Sequence, residues 1–379
     1  MTPIIQTYLS LVRAALWGTP ATWPAEHTDV LLRLNALQGT GALVFPYVVG
    51  QETVPAASRM QMKGVCMQVM QQQVHLQHTL EMAWEGMTKA GIQPVLMKGA
   101  GLAALYPDPH YRAWGDIDLF VGKDQYHPAC AAMRDTFPDA LKFDEELDHY
   151  KHYNLIADGV SIEVHRVSVG LQHPIDARRY ARMEAYGMAH AIPLTLSSIH
   201  PFTLSSIHPF TLSIPEPTFN ALLIMLHAWE HMTTQGANVR QLCDLALLLH
   251  HYAKDIDKPR LKHYLHALHL FELWRVFMCM LVDRLGLPAD EAPFYTADGQ
   301  LKTRGECLIS DLVAGRLVAP KPTGQAPKNK LLRKIHTMRE RLNNAQRMQP
   351  YSPVYARHMK AETFLHGALR LFAKDRHWE

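Results

Sequence analysis

An α+β fold, with a small mixed β-sheet core flanked by N-terminal and C-terminal helical regions, is predicted by three features of the sequence. Pro94–Val121 holds two strand-like runs separated by a glycine turn and a short apolar helix. Val160–His165 alternates apolar 160, 162 and 164 with polar 161, 163 and 165, the period-2 signature of a half-buried strand. On either side of this core, apolar residues recur at helical spacing. The expected division is a helical region over 1–90, an α/β core over 91–193, a linker over 194–216 and a helical region over 217–379.

The 379 residues suffice for two or three domains. In the first region Ile4, Leu11 and Leu16 lie in one amphipathic stretch, and Val30–Leu37 begins another. A long helix rich in Met and Gln is expected from about Ser58 to Lys89, closed by Gly91 as its C-terminal cap. Its Met67, Met70, Val74 and Met87 are assigned to the core face, the usual role of such a stripe.

The core begins with a strand at Pro94–Met97, a turn at Lys98-Gly99 and a helix over Ala100–Tyr106. A proline-rich loop then leads to a second strand, Asp116–Val121. Side chains two apart on a strand share a face, so Asp116 and Asp118 project together while Ile117 and Leu119 face the core. Adjacent carboxylates resist joint ionisation. A divalent cation with hard oxygen ligands, such as Mg²⁺, resolves the conflict. If Val160–His165 pairs beside this strand, Glu163 joins the same face, and three carboxylates can hold two ions roughly 3.5–4 Å apart. That arrangement requires Glu163 to turn toward the aspartates and no lysine or arginine to fill the space between them. A helix over Lys123–Phe137 packs on the sheet. A strand over Tyr150–Ile156 enters the hairpin turn Asp158-Gly159. His149 and His152 lie beside that hairpin, where His152 is either a substrate contact or a structural histidine.

The octapeptide TLSSIHPF occurs twice in tandem, at Thr195–Phe202 and Thr203–Phe210. Two copies are too few for a solenoid, and a surface linker absorbs such an insertion at low entropic cost. Beyond it, helices are expected over Phe219–Met232, Val239–His251, Arg260–Leu285 and Gly305–Leu317. A proline-rich break precedes a basic segment over 328–347, with seven Lys or Arg against Glu340. This is either a solvated helix face or a contact for an acidic partner. A last amphipathic helix is expected over Ala361–Ala373.

Composition narrows the function. A net charge of +3 is too mild for a dedicated nucleic-acid binder. With 48% hydrophobic and 19% charged residues the chain is not extensively disordered. The five cysteines are scattered with no Cys-x-x-Cys, which argues against both a disulfide framework and a cysteine zinc site. No apolar run approaches the roughly 18 residues that span a bilayer, and the N-terminus lacks a basic start and a cleavage signal. A cytoplasmic protein without membrane contact is expected. No phosphate-binding P-loop, dinucleotide fingerprint or nucleophile elbow is present. His227-Ala-Trp-Glu230-His231 does match an inverted zinc-protease pattern, and its histidines share a helix face. The third ligand such an enzyme needs is in no recognisable motif, although Asp244 and Glu272 are available.

Taken in order, Lys98-Gly99, Arg112-x-x-Gly115-Asp116-Ile117-Asp118-Leu119, Ile162-Glu163-Val164-His165, His227-x-x-x-His231 and Arg240-x-x-x-Asp244-Leu245 resemble the polymerase-β-type nucleotidyltransferase superfamily. Within it, the chain looks most like the bacterial branch known simply as nucleotidyltransferase family proteins, over roughly residues 90–250. The resemblance implies transfer of a nucleoside monophosphate from an NTP, with ATP the favoured donor, to an acceptor hydroxyl. It implies two Mg²⁺ ions, or Mn²⁺, on the catalytic Asp116, Asp118 and Glu163. Nucleotide contacts then fall to Lys98, Gly99, Arg112, Gly115 and Arg240, with His152, His165, His227 and His231 lining the site.

One departure is the first turn. The superfamily has Gly-Ser or Gly-Gly where this chain has Lys98-Gly99-Ala100, so a hydroxyl for a phosphate is missing there. Backbone N–H groups of the following helix and Lys98 are the substitutes. Arg112 is placed to clamp phosphate oxygens bidentately. Arg240 either pairs with Asp244, four residues on, or reaches the triphosphate. Trp114 either stacks on a base or packs in the core. No motif identifies the acceptor or an oligomeric state, and a small molecule or protein is slightly favoured over nucleic acid. A non-catalytic nucleotide- or partner-binding module of the same fold is the alternative.

Overall fold

Residues 1–143, 147, 149–171, 173–196, 210–233, 236–317 and 330–372 are described by the computed structural model. Four helices come first: α1 (Pro3–Trp17), α2 (Thr28–Leu37), α3 (Gly41–Val48) and α4 (Ala56–Lys89). The sheet region follows with β1 (Val95–Met97), α5 (Gly99–Ala103), β2 (Asp116–Phe120), α6 (Gly122–Thr136), β3 (Leu141–Lys142), β4 (His152–Ala157), β5 (Val160–His165) and α7 (Pro174–Ala189). A hairpin of β6 (Ile192–Leu196) and β7 (Phe210–Ile214) leads into the C-terminal helices. These are α8 (Pro217–Thr233), α9 (Val239–His251), α10 (Lys258–Ala267), α11 (Phe271–Asp283), α12 (Gly299–Val313), α13 (Lys330–Met348) and α14 (Pro353–Phe372).

The sheet has five strands in the order β1-β2-β5-β4-β3 and is mixed: β2 and β5 run parallel, and the other neighbours are antiparallel. The alternation read in the sequence sets its faces. Val160, Ile162 and Val164 are at most 3% exposed, and so are Ile117 and Leu119 opposite them. β4 turns into β5 through Asp158 (φ 48°) and Gly159 (φ 79°), two successive left-handed residues that match the twist of a tight hairpin. The parallel register sets Asp116 against Ser161, Asp118 against Glu163 and Phe120 against His165. The Asp-x-Asp strand and the Glu163 strand are therefore immediate neighbours.

Helix α4 ends as expected. Gly91 is left-handed (φ 76°), and the Gly91 and Ile92 N–H groups close on the Thr88 and Met87 carbonyls. Its buried face agrees with the expected one at Met87, leaves Met70 and Val74 half-buried, and departs from it at Met67. Met62, Cys66, Gln73, Leu76, Leu80, Ala83 and Met87 face inward, whereas Met67 is 55% exposed. The face is decided by what packs against the helix, and α3, α6 and β2 select a stripe one position removed from Met67.

Two further differences have local causes. The ends of the expected linker pair as β6 and β7, and β7 packs beside β1; the octapeptide residues 197–209 lie outside the described residues. The helix expected over Arg260–Leu285 is broken into α10 and α11 at His269, which is left-handed (φ 58°). Of the basic segment, 328 and 329 lie outside the described residues, and the rest is α13. Buried apolar side chains from Ile5 to Tyr351 form one continuous cluster. Among the described residues, no helix is long and apolar enough to cross a membrane.

Candidate active site

The turn after β1 is held in a conformation that L-residues avoid. Lys98 (φ 54°, ψ −141°) and Gly99 (φ 40°) are both left-handed. For Lys98 this costs on the order of 1–3 kcal/mol, so surrounding contacts must hold it. A Cβ on Gly99 would lie 3.3 Å from the Asp116 carbonyl oxygen and 3.5 Å from Trp114 Cε3. Only glycine lets the turn sit this close to β2. Trp114 is 3% exposed and packed there, which rules out the base-stacking alternative in this conformation. Helix α5 spans five residues rather than the seven expected, a single turn with little dipole to offer a phosphate.

The turn delivers the Lys98 ammonium to the face of β2 and β5, with Nζ 2.7 Å from Asp118 Oδ1. His165 Nε2 lies 2.9 Å from the same oxygen and 3.0 Å from Glu163 Oε2. Its Nδ1 faces the Val167 carbonyl at 3.3 Å. Both ring nitrogens thus face only acceptors, so both must donate, and the ring is an imidazolium. Its pKa is raised accordingly: burial opposes the charge, but the bonds to Asp118 and Glu163 outweigh it. Burial works against Asp118 ionising, yet Lys98 and His165 hold its carboxyl far below the usual range. Burial likewise opposes the Glu163 charge and is outweighed by the His165 bond. Lys98 is raised, burial being outweighed by Asp118 and Asp116. Asp116 is the strained member. Repulsion from Asp118, with burial, pushes it up to about 6, although Lys98 counteracts.

Of the two requirements for a metal centre, Glu163 meets the first by turning toward Asp118. The second is not met as expected, because the Lys98 ammonium takes one Asp118 oxygen. The other oxygen, Oδ2, is buried without a hydrogen-bond partner. An orphaned buried carboxylate oxygen beside a second carboxyl that resists ionisation fits a hard cation. The residues present therefore fit a divalent ion at Asp116 and Asp118 Oδ2, with Glu163 adjacent.

His152, paired with His165 across β4 and β5, points Nδ1 at Glu163 Oε2 from 3.7 Å and is depressed to about 4, by burial more than Glu163 can offset. His227 and His231 stack edge to face at 4.4 Å. Burial and then Lys98 depress both, so they line this site as neutral rings. Among the described residues, neither belongs to a group of three side chains able to hold a metal, and the zinc-protease reading lacks its third ligand.

Arg112 corrects another expectation. It is 6% exposed and faces Asp244 on α9, with Nε 3.0 Å from Oδ1 and Nη2 2.5 Å from Oδ2. Tyr106 donates to Oδ1 at 2.7 Å, and Gln73 of α4 donates to the Arg112 carbonyl. The guanidinium is occupied in locking the loop before β2 to two helices and is not offered to a phosphate. Asp244 therefore does not pair with Arg240. Arg240 donates instead to the Ala113 carbonyl, and its buried Nε has no partner. Burial, then Arg112, lowers its pKa. Gly115 has open space where a side chain would stand. The sequence reading placed Asp244 beside Arg240 and missed that it anchors Arg112; no local spacing signals a pair 132 positions apart.

Residues 24–286, more than half of the chain, match a family model described as "Uncharacterised nucleotidyltransferase". That span includes the carboxylate cluster, the Arg112–Asp244 lock and the helices on both sides of the sheet. No curated protein and no solved structure matches the chain.

Proposed function

The chain belongs to this nucleotidyltransferase family, and from that premise we propose that it moves a nucleoside monophosphate from an NTP, ATP being the favoured donor, to an acceptor hydroxyl. The observation that carries the reading is the parallel register of β2 and β5, which sets Glu163 beside Asp118 with Asp116 two residues along. Asp116, Asp118 and Glu163 would hold Mg²⁺, or Mn²⁺ in its place. When bound, the ion would neutralise triphosphate charge and lower the pKa of the acceptor hydroxyl.

The remaining work falls to the chain's own groups. His165 fixes Asp118 and Glu163 in their ionised forms, so the carboxylates are ready before substrate arrives. Lys98 holds Asp118 until a phosphate competes for its ammonium. With Lys98 on Asp118, the three carboxylates and the cations Lys98 and His165 sum to −1; with Lys98 on a phosphate they sum to −2, which one divalent ion balances. Arg240, half-buried with an unsatisfied Nε, would meet the β- or γ-phosphate. His227 and His231, neutral by burial, would line the acceptor side without adding charge.

The test follows the α-phosphorus. Wild-type protein with α-labelled NTP and Mg²⁺ should label an acceptor from a cell extract and release pyrophosphate, and Asp118→Asn should do neither while remaining folded. Full transfer by that variant would defeat the assignment.

One observation favours a second reading. The Lys98–Asp118 pair already neutralises part of the cluster, as expected of a module that binds nucleotide without transferring it. Binding of NTP with no pyrophosphate release against any acceptor, in both wild type and Lys98→Met, would select that reading.

A further inference from the structure

A second cluster of ligating side chains lies away from the candidate active site, at the wall of a cavity of about 290 Å³ between α7, α8, α13 and α14. It is built from His173 and Asp176 at the start of α7, His269 at the joint between α10 and α11, and His358 and Glu362 on α14. His358 Nε2 is 2.8 Å from Asp176 Oδ2, and His173 Nδ1 is 3.3 Å from the same oxygen. His173 Nε2 contacts Glu362 Oε2. The His269 and His358 rings stack at 4.0 Å, and the His173 ring meets His358 edge-on at 5.9 Å. Two overlapping triads, His173–His358–Glu362 and Asp176–His269–His358, each bring three ligand atoms within 4.8 Å of one another.

We propose that this cluster binds one first-row transition-metal ion of the zinc class, with His358, the member common to both triads, as an obligatory ligand. The donor set decides the class. Three imidazoles with carboxylates suit zinc and its neighbours, whereas Mg²⁺ and Ca²⁺ take oxygen ligands. Ligand atoms on a tetrahedral ion stand about 3.4 Å apart, given bonds of about 2.1 Å, so closure from the observed spacing needs only small side-chain shifts. Arg179 does not block the site, since it reaches the other oxygen of Asp176 at 3.5 Å and leaves Oδ2 facing the histidines. The five residues come from three separate parts of the chain. An ion there would therefore clip α14 to α7 and to the α10–α11 joint. It would also hold the C-terminal helical pair against the cavity.

The alternative is a metal-free network of shared protons. Zinc itself separates the two. Full-length protein, stripped with chelator and given Zn²⁺, should retain about one equivalent after gel filtration and melt at a higher temperature, with protons released as the imidazoles become neutral. Co²⁺ in its place should give the visible bands of a low-coordinate nitrogen–oxygen site. His358→Ala should lose at least about tenfold in zinc affinity and lose the thermal shift. Asp118→Asn should keep both, which excludes the carboxylates of β2 as the source. Should His358→Ala be insoluble, His358→Gln, which also removes the imidazole common to both triads, serves the same comparison. Substoichiometric retention by wild type, or equal retention in the folded variants, overturns the proposal.

Discussion

Two buried aspartates, each facing a cation, serve opposite ends. Asp244 is 3% exposed, and both of its oxygens are occupied, by two guanidinium nitrogens and the Tyr106 hydroxyl. Asp118 is 1% exposed, but Lys98 and His165 crowd onto Oδ1 while Oδ2 stays empty. Beside it, Asp116 is driven up to about 6 by a neighbour of like charge. Saturated lone pairs mark a joint that holds the fold. A leftover acceptor among repelling carboxylates marks a place kept ready for something that arrives later. Sequence alone makes the two pairs look alike, since both are an Arg or Lys with an Asp inside the same set of motifs.

Breaking each pair should expose that difference. The largest effect is expected from Asp118→Asn. Transfer activity should fall by about 10³-fold or more, while the chain stays folded at a lower melting temperature, because the buried Lys98 and His165 lose a counter-charge that Asp116 and Glu163 replace only in part. Arg112→Met should do the reverse and cost about 3–5 kcal/mol by stranding the Asp244 charge. Urea unfolding would read this loss, and the folded fraction should retain its nucleotide affinity. The double variant Arg112→Met/Asp244→Leu should recover much of that stability, which sharpens the claim that this pair serves only the fold. Next comes Gly99→Ala, which forces a Cβ toward the Asp116 carbonyl in a left-handed turn. About 1–2 kcal/mol of stability should be lost together with activity, linking the turn to the strand it supports.

The smallest effect concerns pH. Asp116 should take up its proton near pH 6, above the ordinary carboxyl range. Above pH 6 the ionised form is available to a cation, and below it a proton competes. Half-saturating Mn²⁺, followed by its relaxation signal, should rise about tenfold per pH unit below that point. A flat response down to pH 4 would remove Asp116 from the cation site.

Much of this architecture was legible in the residues. Alternation at Val160–His165, the Asp158-Gly159 turn and the Asp-x-Asp strand fix the sheet, and local spacing suffices for them. His165 stood two residues from Glu163, hence on its face, so its place beside the cluster followed from strand geometry. What escaped were partnerships across the chain. The hold of Lys98 on Asp118 depends on a strained turn that no propensity predicts. Arg112 is diverted from phosphate by an aspartate on α9, and Met67 of α4 faces outward because the helix's neighbours choose its buried face. The His173–Glu362 cluster is dispersed over three segments, and only folding assembles it.

The β6–β7 hairpin has a further consequence. Thr195 pairs with Thr211, and these threonines open two of the stretches that begin Thr-Leu-Ser. Removing one whole TLSSIHPF unit would bring an identical threonine into the same pairing, at a change in closure entropy of under about 1 kcal/mol. Because the unit has an even number of residues, inward and outward faces are conserved as well. Whole units can therefore be added or removed at this point while a threonine stays in the β6–β7 pairing, so a variant lacking Thr195–Phe202 should keep the melting temperature of the full chain.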